Sequence, residues 1–338
     1  MWNTIKYMYN EVKENGKSWR WWRGRYRDRI FSKLLILTEN KGVYVVDEDW
    51  DNLIILDACR YDIFKELNTI EGKLESRISR GSCTMDFLVE NFKNYSKYSE
   101  LNNIVYVTSN PYVNKYLSGR FHKIYPTWKY GWSDKLNTVP PENVVKDALK
   151  ACRKHPDKRL IVHFMQPHYP FLDVKFFVKT NKTAFNEDKF KDTDVINENE
   201  YPQFGLVEIV NPYNSKREQI IGTTPWILLE AGALDRNEVF AAYKNNLKMV
   251  LPFVKRLVDI LPGKTVVSSD HGNLIAERVH CILYPFREFG HPCGLYNIKQ
   301  IVEVPWLIIE KEKLEQKEVS DKGIIKERVK RLKGTGKI

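Results

Sequence analysis

Apolar runs of four to seven residues alternate along most of this chain with segments whose apolar positions recur at helical spacing. The runs "NLIILDA" (Asn52 to Ala58), "NIVYVTSN" (Asn103 to Asn110), "RLIVHFMQ" (Arg159 to Gln166), "TVVSSD" (Thr265 to Asp270) and "VEVPWLIIE" (Val302 to Glu310) read as strands. Between them, Arg60 to Leu67 reads as a helix and a short one lies near Val113. "ENVVKDALKACRK" places Val145, Leu149 and Cys152 on one side. Asn237 to Lys264 reads as one long helix, with Pro252 as the position for a kink. Strands this apolar are buried on both faces. The pattern therefore predicts an α/β three-layer sandwich, a largely parallel sheet covered by helices on both sides. In such folds ligands bind beyond the carboxyl ends of strands. The polar residues that end these runs are Asp57, Asn110, the segment His163 to His168, and the pair Asp270–His271.

Three stretches break the alternation. Phe171 to Asp235 is polar and without clear periodicity, and long structureless loops are uncommon inside compact domains, so it is expected to be an insertion that caps the site. The first 45 residues interleave Trp19, Trp21 and Trp22 with Arg20, Arg23, Arg25, Arg27 and Arg29. Residues 311–338 form a basic tail in which Ile325, Val329 and Leu332 could make one apolar stripe. The expected organisation is a basic aromatic segment (1–45), a catalytic domain (46–310, with 171–235 over the site) and the tail (311–338). Two readings of the basic ends stay open. The rings can pack on the domain while the arginines are solvated, or the ends can dock on an anionic partner.

Charge and cysteine content narrow the setting. The formal net charge of +11 over 338 residues calls for an anionic partner, and a membrane face or a phosphorylated glycan carrier suits interleaved Trp and Arg better than nucleic acid does. Five cysteines at irregular spacing, with no Cys-x-x-Cys pair, argue against a disulfide framework or a zinc knuckle. No window approaches the roughly 18 apolar residues of a membrane span. With no secretory signal visible, the expected location is the cytoplasm, with peripheral membrane association as an option.

Two segments carry candidate chemistry. "VVSSDHGN" (Val266 to Asn273) ends a strand on a carboxylate and an imidazole, two good ligands for a divalent cation. Asp57 ends another strand, where it is either a metal ligand or a cap of the next helix. "GSCT" (Gly81 to Thr84) offers Ser82, Cys83 and Thr84 ahead of a helix, again either a nucleophile or an ordinary cap.

Taken in order, "LIILDACRYD", "GSCTMDFLVENF", "HFMQPHYPF", "VVSSDHGN" and "FGHPCGLY" resemble the alkaline phosphatase superfamily, in particular its sulfatase-like branch, from about Asn52 to Ile309. The resemblance implies that Asp57, Asp270 and His271 bind a divalent metal, zinc or manganese, with Thr84 as a further ligand and the nucleophile. His168 and His291 would hold a second metal or the substrate's phosphate or sulfate oxygens; His163 and Gln166 are weaker candidates. It also implies a hydrolase or phosphotransferase for phosphoric esters, on an anionic substrate that is glycan- or lipid-linked. A sulfuric-ester hydrolase is the alternative, and a catalytically silent anion-binding protein on the same fold is another. Three departures stand out. The Cys-x-Pro-x-Arg signature, whose cysteine becomes formylglycine in sulfatases, is absent after Cys83. Asn273 stands where relatives often carry Glu, and Gln166 where many carry Asp.

Overall fold

The computed structural model describes residues 2–31, 33–34, 42–172, 176–177, 207–210, 217–220, 224–230, 232–280, 282–295 and 297–311. Most of the expected insertion and nearly all of the C-terminal tail, including its Ile325–Val329–Leu332 stripe, lie outside these residues.

A seven-stranded sheet forms the middle layer. Its strands are β1 (Asn52–Leu56), β2 (Lys73–Ile78), β3 (Ile104–Thr108), β4 (Lys123–Pro126), β5 (Arg159–Phe164), β9 (Thr265–Ser268) and β12 (Glu303–Ile309), in the order β2-β12-β9-β1-β5-β3-β4. Three short strands, β6 (Phe176–Phe177), β7 (Val207–Val210) and β8 (Arg217–Ile220), form a separate sheet. β10 (Leu274–His280) and β11 (Tyr284–Gly290) form an antiparallel hairpin. The five strands legible as apolar runs are the five inner strands of the large sheet. Four of them are parallel, and β12 runs antiparallel to both β9 and β2.

The remaining elements follow from burial. In β1, Ile54 and Leu56 face one core while Leu53 and Ile55 face the other, as the two-residue period of a strand requires. One face is covered by α3 (Tyr61–Leu67), α5 (Pro141–Lys154) and α7 (Arg236–Ile260), the other by α4 (Thr84–Leu88) and the π-helical turn that extends it from Val89 to Lys93. Asp235 caps α7, its side chain accepting from the Asn237 amide at 2.8 Å. Pro252 lies inside α7, which continues past it to Ile260. α6 (Pro225–Glu230) sits in the stretch expected to cap the site, yet Trp226, Leu228 and Leu229 are buried in the core beside α7. At the N-terminus come α1 (Trp2–Asn15) and α2 (Trp19–Tyr26). Just beyond α2, Phe31 anchors a small third core with Tyr284, Leu295 and Ile301.

Candidate active site

The register of the inner strands brings their carboxyl ends level. Ile55 of β1 pairs with His163 of β5 on one side and with Ser268 of β9 on the other. One or two residues later each chain turns into a loop, so Asp57 and the Asp270–His271 pair emerge side by side, with His163 beside them at the end of β5. Thr84 opens α4 across the same opening. Two backbone features shape the turns. Ala58 adopts φ 58°, uncommon for a residue with a side chain, and its amide donates to Asp270 Oδ1 at 3.0 Å. Gly272 has no room for a Cβ, which would lie 2.1 Å from the Gln300 carbonyl oxygen.

The result is a buried cluster of five side chains. Thr84 Oγ1 lies 3.2 Å from His271 Nε2 and 3.5 Å from Asp57 Oδ2. His271 Nε2 is 3.7 Å from Asp57 Oδ1 and 3.5 Å from Asp270 Oδ2. His163 Nε2 is 3.7 Å from Asp57 Oδ2 and 3.8 Å from Asp270 Oδ2. One ligand atom each from Asp57, His163 and Asp270 falls within 4.8 Å of the others. Asp57 Oδ1, Asp270 Oδ2 and His163 Nε2 are buried without a hydrogen-bond partner.

Leaving three such atoms unpaired is costly unless something satisfies them. Protonated His163 does not, because burial pushes its imidazole down to about 4 and leaves it neutral. Burial and the neighbouring Asp270 carboxylate hold Asp57 well above the usual carboxylate range. Burial would also raise Asp270, but the nearby imidazoles and the Ala58 amide outweigh it and hold that carboxyl low. Two carboxyl groups, the imidazoles of His163 and His271 and three buried orphan atoms are the donor set of a divalent cation, and the residues present fit one.

The surrounding hydrogen bonds aim these groups. Asn110 Nδ2 donates to Asp57 Oδ2 at 2.8 Å, and the His271 amide donates to Asp270 Oδ1 at 2.9 Å. His271 Nδ1 faces the Gly272 carbonyl at 2.7 Å, and His168 Nδ1 faces the Tyr169 carbonyl at 2.5 Å. A carbonyl only accepts, so each of these rings carries a proton on Nδ1. Burial keeps His168 neutral by pushing it down to about 4. The His291 ring lies between the other two, with centroids 4.6 Å from His271 and 4.9 Å from His168. Its Nδ1 faces Asn273 Oδ1 at 3.4 Å, and burial holds its pKa well down.

The candidate residues Asp57, Thr84, Asp270 and His271 thus come together, and His168 and His291 flank them. His163, read from sequence as a weaker candidate, joins the inner cluster. Its position inside an apolar run disguises it as a core histidine. Gln166 does not join; its Nε2 donates to the Val139 carbonyl at 3.3 Å.

The cysteine expectation is corrected. Cys83 and Cys293 form a disulfide across 210 residues of sequence, a pairing that spacing could not reveal. Cys59 and Cys152 are free, and Cys281 lies outside the described residues. The bond ties the residue before Thr84 to the loop that carries His291. Asp86 Oδ2 accepts from the Gly294 amide at 3.0 Å, and Ser82 Oγ accepts from the Leu295 amide at 3.0 Å, stitching the same two segments. Cys83 is therefore not a free thiol beside Thr84.

No family model matches the chain, and no curated protein matches it. Several solved structures are similar in fold. Lipooligosaccharide phosphoethanolamine transferase A from Neisseria meningitidis, described as an integral membrane protein, is 14% identical over 77% of this chain and 47% of its own, with a TM-score of 0.43. This chain thus spans about half the length of that transferase. The C-terminal periplasmic domain of EcEptC from Escherichia coli, in complex with zinc, is 14% identical over 81% of this chain and 76% of that one, with a TM-score of 0.43. A protein in the alkaline phosphatase superfamily from Vibrio parahaemolyticus is 12% identical over 80% and 62%, with a TM-score of 0.39.

The expected cytoplasmic location does not stand. One of its grounds is that cysteine spacing argues against disulfides, and Cys83 is bonded to Cys293. Among the described residues no helix is long and apolar enough to cross a membrane. The described residues form a seven-stranded, largely parallel sheet with helices on both faces, the three-layer α/β architecture that the sequence pattern predicts.

Proposed function

We propose that the chain is a metal-dependent enzyme that cleaves or transfers phosphoric esters, with Thr84 as the nucleophile. The observation that carries this reading is the position of Thr84 Oγ1, within 3.5 Å of both Asp57 and His271 at the mouth of a buried, uncompensated donor set. Asp57, His163, Asp270 and His271 would hold the cation, zinc or manganese. When bound, such an ion supplies positive charge that favours the alkoxide of a neighbouring hydroxyl and offsets charge building on phosphoryl oxygens.

Thr84 Oγ1, its proton given up to solvent, then attacks phosphorus as the bond to the ester oxygen breaks, and that oxygen leaves with the electron pair and takes a proton from water. The product is a phosphothreonine, which water or an acceptor alcohol resolves by attacking phosphorus and releasing Thr84. Asp57 and Asp270 stay ionised through these steps, while Asn110 and the Ala58 amide keep their second oxygens engaged. His168 and His291 present Nε2 lone pairs, and a neutral lone pair cannot donate to a phosphate oxygen. Those two rings are better suited to a second cation than to direct contact with the substrate. The basic surface agrees with an anionic, glycan- or lipid-linked ester.

A panel of phosphate monoesters, phosphate diesters and sulfate esters, assayed with zinc or manganese added to metal-free protein, tests this reading. Phosphate-ester turnover that needs metal and disappears in Thr84→Ala is expected. Sulfate-ester turnover alone, or turnover that survives Thr84→Ala, would overturn it.

A further inference from the structure

Exposed apolar side chains are distributed very unevenly over this molecule. Of eleven large ones exposed among the described residues, six lie on the N-terminal helices and two at the tip of the β10–β11 hairpin. Ile282 and Leu283, 80% and 45% exposed, make up the tip. The helical side contributes Trp19, Trp22, Ile30 and Leu34, which are 64%, 46%, 49% and 43% exposed. Monomeric soluble surfaces rarely concentrate apolar groups in this way, and such patches mark interaction sites.

The two groups belong to one surface because α2 packs along the hairpin. Tyr26 Oη donates to the Leu283 carbonyl at 2.7 Å, Phe31 stacks on Tyr284 at 4.8 Å, and Trp19 meets Phe286 edge-on at 5.1 Å. The buried Arg23 donates to Glu230 and to the Arg287 carbonyl, and Arg27 pairs with Glu288, so these two arginines are structural. Part of the packing reading of the basic segment therefore holds. Lys17, Arg29 and Lys33 remain exposed next to the apolar groups. Residues 1–34 hold nine Lys and Arg against three Asp and Glu, a net +6 that exceeds half of the chain's +11.

The hairpin also connects this surface to the active site. β10 leaves the site directly after Asn273, and β11 returns to it directly before His291. Each strand has seven residues, so the tip stands about 20 Å from the site at the usual rise per residue.

We propose that α2, the turn after it and the hairpin tip form a docking surface for an anionic lipid bilayer, with the active site held about 20 Å from the tip. Exposed tryptophans, aliphatic side chains at the tip and exposed lysine and arginine next to the apolar groups match what a membrane interface binds. A protein groove would call for the apolar part but not for the excess positive charge. The consequence for chemistry, that the ester is carried by a lipid, rests on the proposed function; the docking itself does not.

The test is sedimentation of the full chain with vesicles of phosphatidylcholine alone and of phosphatidylcholine mixed with phosphatidylglycerol, at low and moderate salt. Binding should need phosphatidylglycerol and weaken with salt, because screening shortens the reach of exposed charges to about 8 Å at physiological ionic strength. The double variant Ile282→Asp, Leu283→Asp should bind at least about tenfold more weakly, the factor that moving one such side chain out of water is worth. Both side chains are exposed and outside the site, so its melting temperature and its rate on a water-soluble phosphate ester should match the parent. Failure to bind anionic vesicles, or equal binding by the variant, would overturn the proposal. So would a dimer, seen by sedimentation velocity, that the variant dissociates while vesicle binding is absent; the patch would then belong to a second copy. If vesicle binding behaves as expected while every ester is inert, the docking stands and the proposed function falls.

Discussion

The floor and the wall of the site are built by different means. The floor is Asp57, His163 and the Asp270–His271 pair, set at or just past the ends of three adjacent parallel strands and aimed by main-chain amides and Asn110. The wall is His291, on the loop that follows the antiparallel hairpin. The Leu274–Gly290 pair of that hairpin and the His291 Nδ1–Asn273 Oδ1 contact set it beside the floor, and further side-chain links hold the loop to the residues around Thr84. Those links are the Cys83–Cys293 disulfide and the bonds of Asp86 and Ser82 to the Gly294 and Leu295 amides. A sheet positions side chains through many cooperative hydrogen bonds, so a floor on it tolerates the loss of any one of them. A loop has no ladder, and its precision depends on a few ties to a rigid neighbour.

The largest expected effect is on the floor itself. Asp270→Ala should remove metal binding and lower turnover by about 10²–10³-fold or more, the scale seen when a single charge-stabilising group is lost. Its melting temperature without metal should fall modestly, because the buried Ala58 and His271 amides lose the oxygen that accepts from them. Metal content by mass spectrometry of the purified protein, together with calorimetry, checks both parts. Strong unfolding with metal retained would show that Asp270 is an internal tie and not a ligand.

Thr84→Ala should abolish turnover comparably while keeping the metal, and Thr84→Ser should restore part of it. This separates the nucleophile from the ligand set. Cations titrated into each variant, followed by calorimetry, should give affinities within about 10–100-fold of the parent, the range for losing a peripheral contact.

The wall should respond differently. Replacing both Cys83 and Cys293 by Ala should cost roughly 2–4 kcal/mol of stability, typical for a native disulfide. Turnover should fall by about 10–100-fold as His291 loses its tie, while metal at the floor stays bound. If metal and turnover fall together, floor and wall are one unit and the distinction fails.

pH offers a subtler probe. Because Asp57 is held above its usual range, a cation must displace a proton there, at a pH where an ordinary carboxylate would already be ionised. Metal affinity should therefore fall as pH drops through that raised value, by about tenfold per pH unit for one proton. In the metal-free protein the same shift acts the other way. Asp57 contributes stability below its folded pKa and loses it as pH rises through that value. Proton release measured in buffers of different ionisation enthalpy resolves the first effect. The smallest change should come from Asn110→Ala, which removes one hydrogen bond to Asp57 Oδ2 and should weaken metal binding about tenfold.

What could be read from the sequence follows the same division. The five inner strands stand out because they are buried on both faces and hold unbroken apolar runs. β2, with "KLESRI", and the four-residue β4 lie at the sheet edges, where exposure removes that signal. The strand-end carboxylates were visible because nothing in a core needs them. His163 stood only as a weaker candidate, since a histidine inside "RLIVHF" looks like packing until the register sets it opposite Ile55. The disulfide was hidden for another reason: proximity across 210 residues is a property of the folded chain and not of cysteine spacing.

The central claim is that Thr84, at the mouth of this cation site, is the atom that takes the phosphoryl group. The most direct measurement is peptide mass spectrometry after acid quench of zinc-loaded protein turning over a phosphate monoester. One added phosphate is expected on the peptide that contains Thr84, absent without metal and absent in Thr84→Ala. Phosphate on another residue, formylglycine at position 83, or steady turnover with no phosphorylated peptide and full activity in Thr84→Ala would contradict it.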